Sequence, residues 1–159
     1  MNQSYSILLV EDDADDVFFL TRALQNVGIK VPIEVASDGE AAVVFLKEAV
    51  EHLGTSQFVP PRLVLIDLNL PHKRGLEVLK WIRQESAWKT LQVIVFTSST
   101  AKSDIQEAYA LGANSYVVKP SDATTLTKLA EHIKGYWLGW NRFPSEPLTL
   151  NGIGAQPNF

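Results

Sequence analysis

Five times along 159 residues, an apolar run of strand length gives way to an amphipathic helical stretch. That alternation constrains the fold more than any other feature. The strand-like runs are residues 6–10, 33–36, 63–66, 92–96 and 115–118. The helical stretches cover 14–26, 39–53, 75–84, 103–111 and 123–137, with Gly28 and Gly112 standing where helices should stop. Residues 54–62, with Pro60 and Pro61, read as a loop. Residues 144–159, rich in Pro, Asn and Gly, read as an extended or poorly ordered tail behind a single domain of residues 5–143. Repeated strand–helix units imply an α/β fold of three layers, a five-stranded parallel sheet with helices on both faces and right-handed crossovers. The length suits one domain with a substantial core.

In such folds the site lies outside the carboxyl ends of the strands, so the residues at those ends matter most. The first strand runs into Glu11, Asp12 and Asp13; the third, Leu63-Val64-Leu65-Ile66, into Asp67; the fourth into Thr97 and Ser98; the fifth into Lys119 and Pro120. A carboxylate at the end of a strand buried on both faces needs a cation or a metal as partner. Glu11, Asp12 and Asp67 placed together would repel one another, and a hard divalent ion relieves this. Magnesium suits the set, because it takes oxygen ligands and one or two carboxylates while keeping waters and phosphate oxygens. Asp13 is expected to cap the following helix, with Asp15 and Asp16 solvated near its positive end.

Asp67 can act as a nucleophile on phosphorus, giving an acyl phosphate. The metal and the Lys119 ammonium would neutralise the transferring group, and Thr97 would donate its hydroxyl to a phosphoryl oxygen. Other functions fit poorly. A net charge of -4 argues against a nucleic-acid surface. Zero cysteines exclude disulfides and thiolate chemistry. No apolar run approaches the ~18 residues of a membrane span, and no signal peptide is visible, so a cytoplasmic protein is expected. His52, His72 and His132 share no metal-ligand spacing.

Four separated motifs in the same strand–helix frame carry a resemblance: Val10-Glu11-Asp12-Asp13, Asp67-Leu68-Asn69-Leu70-Pro71, Thr97-Ser98 and Tyr116-Val117-Val118-Lys119-Pro120. Over residues 5–135 the chain resembles the receiver domain of two-component response regulators. That resemblance implies a flavodoxin-like (βα)5 sheet of order 2-1-3-4-5. It implies Asp67 as phosphoacceptor, with magnesium held by Asp12, Asp67 and the Asn69 backbone carbonyl, and by Glu11 through a water. Thr97 and Tyr116 would form the switch pair, Lys119 would contact the phosphoryl group, and Lys119–Pro120 would be a cis bond. Such a protein is a phosphoacceptor rather than a conventional enzyme, with self-catalysed phosphotransfer and autodephosphorylation only.

The second helix with its Pro60-Pro61 loop, and Gly135-Tyr136-Trp137-Leu138 followed by Pro144, narrow the likeness to cyanobacterial phytochrome-associated regulators. These are receivers paired with light-sensing histidine kinases, so a sensor kinase, of the bacterial phytochrome type, is the implied partner. No output domain follows, so the signal is expected to leave through a surface contact with a downstream protein. One departure is His72-Lys73-Arg74, a basic loop beside Asp67.

Two other uses of such a fold are disfavoured by particular residues. A dehalogenase-type phosphatase needs a carboxylate two positions after the nucleophile as general acid, and here that position is Asn69. A flavodoxin-like nucleotide binder needs a Ser/Thr/Gly loop for phosphate, whereas Glu11-Asp12-Asp13 would repel one. A purely unphosphorylated docking module would not need the acceptor set.

Leu126, Leu129, Ala130, Ile133 and Trp137 form one helical stripe that should face the sheet. Leu138 and Trp140 then point elsewhere beside Tyr136 and Phe143. A homodimer is expected, with Tyr136, Trp137, Leu138, Trp140 and Phe143 in its interface.

Overall fold

A computed structural model describes residues 5–144. The strands are β1 (Ser6–Val10), β2 (Ile33–Ala36), β3 (Pro61–Ile66), β4 (Gln92–Thr97) and β5 (Ser115–Val118). The helices between and after them are α1 (Ala14–Asn26), α2 (Gly39–Glu51), α3 (Gly75–Gln84), α4 (Lys102–Ala110) and α5 (Ala123–His132). All strand pairs are parallel, in the order β2-β1-β3-β4-β5. Both the class and the order agree with the expectations above. Of the tail expected over residues 144–159, residues 145–159 lie outside the described residues.

The sheet divides the core in two. Leu8, Val10, Val64, Ile66, Val93 and Val95 point to one face, where α2, α3 and α4 contribute Leu46, Val78, Leu79, Ile82 and Ala108. Ile7, Leu9, Leu63, Leu65, Ile94 and Phe96 point to the other, against Leu20, Leu24, Ala130 and Ile133 from α1 and the C-terminal helical segment. Alternate residues of a strand project to opposite faces. With helices on both sides, residues 7–10, 63–66 and 93–96 of the central strands are apolar at every position and read as unbroken hydrophobic runs.

Two polar anchors tie the layers together. Trp88 is almost fully buried, and its indole N–H donates to the Leu46 carbonyl at 2.9 Å. Arg83 is half-buried with no carboxylate partner among the described residues, and burial lowers its pKa. Its guanidinium instead donates to backbone and amide oxygens: to Gly112 (2.9 and 2.7 Å), Lys89 (3.2 Å), Leu91 (2.7 Å) and the Asn114 side chain (2.9 Å). All five donors of the fork are thereby used. They fasten the loop before β4 to the turn between α4 and β5, where Gly112 adopts a φ of 98°.

The C-terminal helix departs from expectation. It is α-helical only to His132 and continues as a π-helix, Ile133–Trp140, closed by Asn141 N–H donating to the Tyr136 carbonyl at 2.7 Å. Bonding from i to i+5 widens each turn, so the spacing that shares a face lengthens. Trp137 and Leu138 therefore both reach the cluster under α1, and Phe143 packs on Tyr5 with ring centroids 5.5 Å apart. Tyr136 and Trp140 stay outside, 57% and 83% exposed. Among the described residues no peptide bond is cis, so Lys119–Pro120 is trans; for an X–Pro bond trans is the intrinsically favoured isomer. Among the same residues, no helix is long and apolar enough to cross a membrane.

Candidate functional site

The strand register brings the polar strand ends level. Val10 pairs with Ala36 and Ile66, Ile66 with Val95, and Thr97 with Val118. The ladder then continues one step further. Asp67 N–H donates to the Val10 carbonyl at 3.0 Å, Glu11 N–H to Ala36 at 3.0 Å, and Lys119 N–H to Thr97 at 2.8 Å. Glu11, Asp67, Thr97 and Lys119 are thus set on one rim by backbone bonds before any side chain interacts.

The side chains converge. One oxygen each from Glu11, Asp12 and Asp67 lie within 4.8 Å of one another. Glu11, Asp67 and Thr97 are buried, whereas Asp12 is exposed. The Lys119 ammonium donates to Glu11 Oε2 at 2.7 Å, Asp67 Oδ2 at 2.8 Å and Asp16 Oδ2 at 2.8 Å. The other Asp67 oxygen, Oδ1, accepts from Asn69 N–H at 3.2 Å, and Glu11 Oε1 accepts from Asp13 N–H at 3.1 Å.

These contacts set the electrostatics. Burial pushes the Glu11 carboxyl up to about 7; its bonds from Lys119 and Asp13 N–H only partly oppose this, and nearby Asp67 adds to it. Burial acts in the same direction on Asp67. There the hydrogen bonds from Lys119, Thr97 and Asn69 N–H prevail and hold the carboxyl below its usual range. Burial would lower Lys119, but its three carboxylate partners raise it well above an ordinary lysine. Asp67 is therefore a charged, oriented carboxylate in a mostly dry setting. The donor set also fits a hard divalent cation: three carboxylates share one amine, so the cluster carries an excess of negative charge among oxygen donors.

Close packing supports the rim from below. A Cβ at Gly75 would lie 2.1 Å from the Asp67 carbonyl oxygen and 2.8 Å from Leu68 Cα, so only glycine lets α3 start directly beneath this loop. In the His72-Lys73-Arg74 segment, His72 adopts a φ of 63°. The Lys73 carbonyl abuts Gly39, where a Cβ would stand 1.9 Å away.

Asp13 caps α1 as expected, accepting from Asp15 N–H at 2.9 Å and Asp16 N–H at 3.0 Å. Asp16, expected to be solvated, is instead a partner of Lys119. It lies in the first turn of α1, three residues beyond the Asp13 cap. The pairing with β5 was not visible, because it depends on how α1 seats against the sheet. Tyr116 also gains a partner: its hydroxyl donates to the Ser99 carbonyl at 2.9 Å. The Ser99 hydroxyl in turn donates to Asp104 in the first turn of α4. Ser99 links the end of β4, Tyr116 and α4, a role its sequence neighbourhood did not signal.

The chain is similar to known proteins. The response regulator receiver domain family matches residues 7–131. The "Probable methanogenesis regulatory protein FilR2" of Methanothrix harundinacea is 40% identical over 140 residues, covering 88% of this chain and 88% of that protein. Response regulator Rcp1 of Synechocystis is 36% identical over 132 residues, covering 83% of this chain and 88% of that protein. Among solved structures, the phosphorylated cyanobacterial phytochrome response regulator RcpA superposes with a TM-score of 0.77 at 31% identity, covering 89% of this chain and 99% of that one. The Mn(2+)-bound form of Rcp1 gives 0.76 at 34% identity, with the same coverage. The extent of that family match and the breadth of these relatives' alignments agree with the rim geometry, and the chain belongs to the response regulator receiver domain family.

Proposed function

We propose that Asp67 accepts a phosphoryl group from a sensor histidine kinase, with magnesium held by Asp12, Asp67 and the Asn69 carbonyl, and by Glu11 through a water. The observation that carries this reading is the Asp67 carboxylate itself, ionised beside Glu11 and Asp12 and hydrogen-bonded to Lys119 at 2.8 Å. An Asp67 oxygen attacks phosphorus and the P–N bond of the phosphohistidine breaks. The imidazole nitrogen keeps the electron pair and takes up a proton. Bound magnesium would supply positive charge to the phosphoryl oxygens. Lys119 and Thr97 stabilise the same oxygens from the protein side, and the Asn69 N–H keeps the acceptor oriented. With Asn69 in place of a general acid, this is a phosphoacceptor rather than an ester phosphatase.

The donor has room to approach. Beside the rim, α1 and α5 enclose a groove of about 600 Å³ lined by Phe19, Arg22, Lys119, Pro120 and Leu126. Phe19 is more than half exposed there. Relatives named for cyanobacterial phytochrome signalling support a phytochrome-type kinase as the partner. The test is intact-mass measurement after incubation with acetyl phosphate. Wild type gains one phosphoryl mass only when magnesium is present, and Asp67→Asn gains none. No gain in wild type, or an equal gain in the variant, refutes the assignment.

The receiver unit is read as residues 5–143, with its aromatic end forming a two-fold interface. Tyr136 and Trp140 supply the exposed surface, and Trp137, Leu138 and Phe143 support it from the protein's own core. Isologous pairing is the commonest closed assembly. Light scattering at micromolar concentration is expected to give a dimer for the wild type and a monomer for the double variant Tyr136→Ser, Trp140→Ser. A monomeric wild type, phosphorylated and unphosphorylated, rules the dimer out. Output is read as a packing change passed from Thr97 through Ser99 and Tyr116 to α4.

A further inference from the structure

A lysine ammonium has three N–H donors, and in Lys119 all three are taken. Glu11 holds one at 2.7 Å, Asp67 one at 2.8 Å and Asp16 one at 2.8 Å. No donor is left over for an arriving phosphoryl oxygen, so one of the three must let go. They differ in what release entails. The Glu11 and Asp67 side chains are 3% and 6% exposed, and either would be left as a buried charge with a partner missing. The Asp16 side chain is 44% exposed, so water can replace the ammonium with little penalty. Its backbone stays fixed meanwhile, because Asp16 N–H is held by the Asp13 cap at 3.0 Å.

We infer that Asp16 is a positioning residue for Lys119, occupying its third N–H in the resting protein and yielding it to the phosphoryl group. This rests on the reading of Asp67 as phosphoacceptor. The consequence is a brake. Asp16 competes with the phosphoryl group for one N–H, and by taking a share of the ammonium's charge at 2.8 Å it leaves Glu11 and Asp67 less fully neutralised and more available to a metal. Removing its carboxylate therefore has two opposite effects: phosphorylation becomes faster and magnesium binding weaker.

The experiment compares the full-length wild type with Asp16→Ala and Asp15→Ala. Asp15 is an exposed neighbour in the same helical turn and is not a partner of Lys119. Its variant removes the same charge without touching the ion pair. Phosphorylation by acetyl phosphate at saturating magnesium is followed by intact mass, and magnesium affinity is read by calorimetry without the phosphodonor. Asp16→Ala is expected to be phosphorylated about two- to fivefold faster than Asp15→Ala, the range set by a half-exposed ion pair. It is expected to bind magnesium more weakly by a similar factor. A loss of local structure would move both measurements in the unfavourable direction, so the opposite signs separate positioning from damage. Equal or slower phosphorylation in Asp16→Ala overturns the inference, and so does an unchanged magnesium affinity. If wild type gains no phosphoryl mass, the reading of Asp67 fails first and this inference with it. If wild type is phosphorylated and the two alanine variants behave alike, only the inference fails.

Discussion

Lys119→Met is expected to destabilise the metal-free protein by about 3–5 kcal/mol in urea unfolding at neutral pH, the range for breaking a buried ion pair from one side. Methionine preserves the length and apolar stem of lysine and removes only the ammonium. Glu11 and Asp67 are then left facing each other, each nearly inaccessible to water. Asp16 is half-exposed and resolves its own loss by hydration. Magnesium should restore much of the difference, because Glu11 and Asp67, together with Asp12, form the group that can hold a metal ion. The midpoint shift on adding magnesium is therefore larger in the variant than in wild type. Lys119→Arg should not rescue fully, since a planar fork cannot place three donors around one point as an ammonium does. A metal-free Lys119→Met as stable as wild type would show that the cluster is neutralised in some other way.

How much of this was legible in the sequence depends on the range of the interaction. The central strands were legible because burial on both faces leaves a run of apolar residues, and β1 and the half-exposed edge strands β2 and β5 carry the expected bounds. Pairing extended β3 back to Pro61 and β4 on to Thr97, extensions that depend on neighbouring strands rather than on local composition. The Asp13 cap is a local device and was legible for that reason. Glu11, Asp67, Thr97 and Lys119 could be placed together because strand ends in a parallel sheet share one edge. Asp16 could not, since its partner sits more than a hundred residues away and the contact depends on the seating of a helix. Arg83 is similar: nothing in Trp81-Ile82-Arg83-Gln84 reveals that the guanidinium will saturate oxygens from two distant turns. The π-helix defeated the spacing argument at the C-terminus outright. A stripe counted at 3.6 residues per turn excludes Leu138, and widening the turn brings it in.

In the metal-free protein, stability should fall as pH rises from about 5 to about 7.5, by up to ~3 kcal/mol, and then level off. The group responsible is Glu11, whose carboxyl is carried by burial from an ordinary 4.5 to about 7. Between those values the folded protein holds a proton that the unfolded chain has already released. Raising the pH through this window therefore favours unfolding, the reverse of the usual behaviour of a salt-bridged carboxylate. The other two members of the cluster do not oppose the slope. Asp67 is depressed below 3.8, so its contribution is complete before the window opens. Lys119 is raised above 10.5, so its contribution is lost only at alkaline pH. Glu11→Gln keeps the shape, removes the proton equilibrium and should flatten this part of the profile, leaving a variant more stable than wild type at about pH 7.5. Saturating magnesium should flatten it by another route, since a cation at the cluster favours the ionised carboxylate throughout. Urea titrations of both proteins across the window, with and without magnesium, measure all three effects. A metal-free slope that is the same in Glu11→Gln as in wild type would assign the pH dependence to other groups.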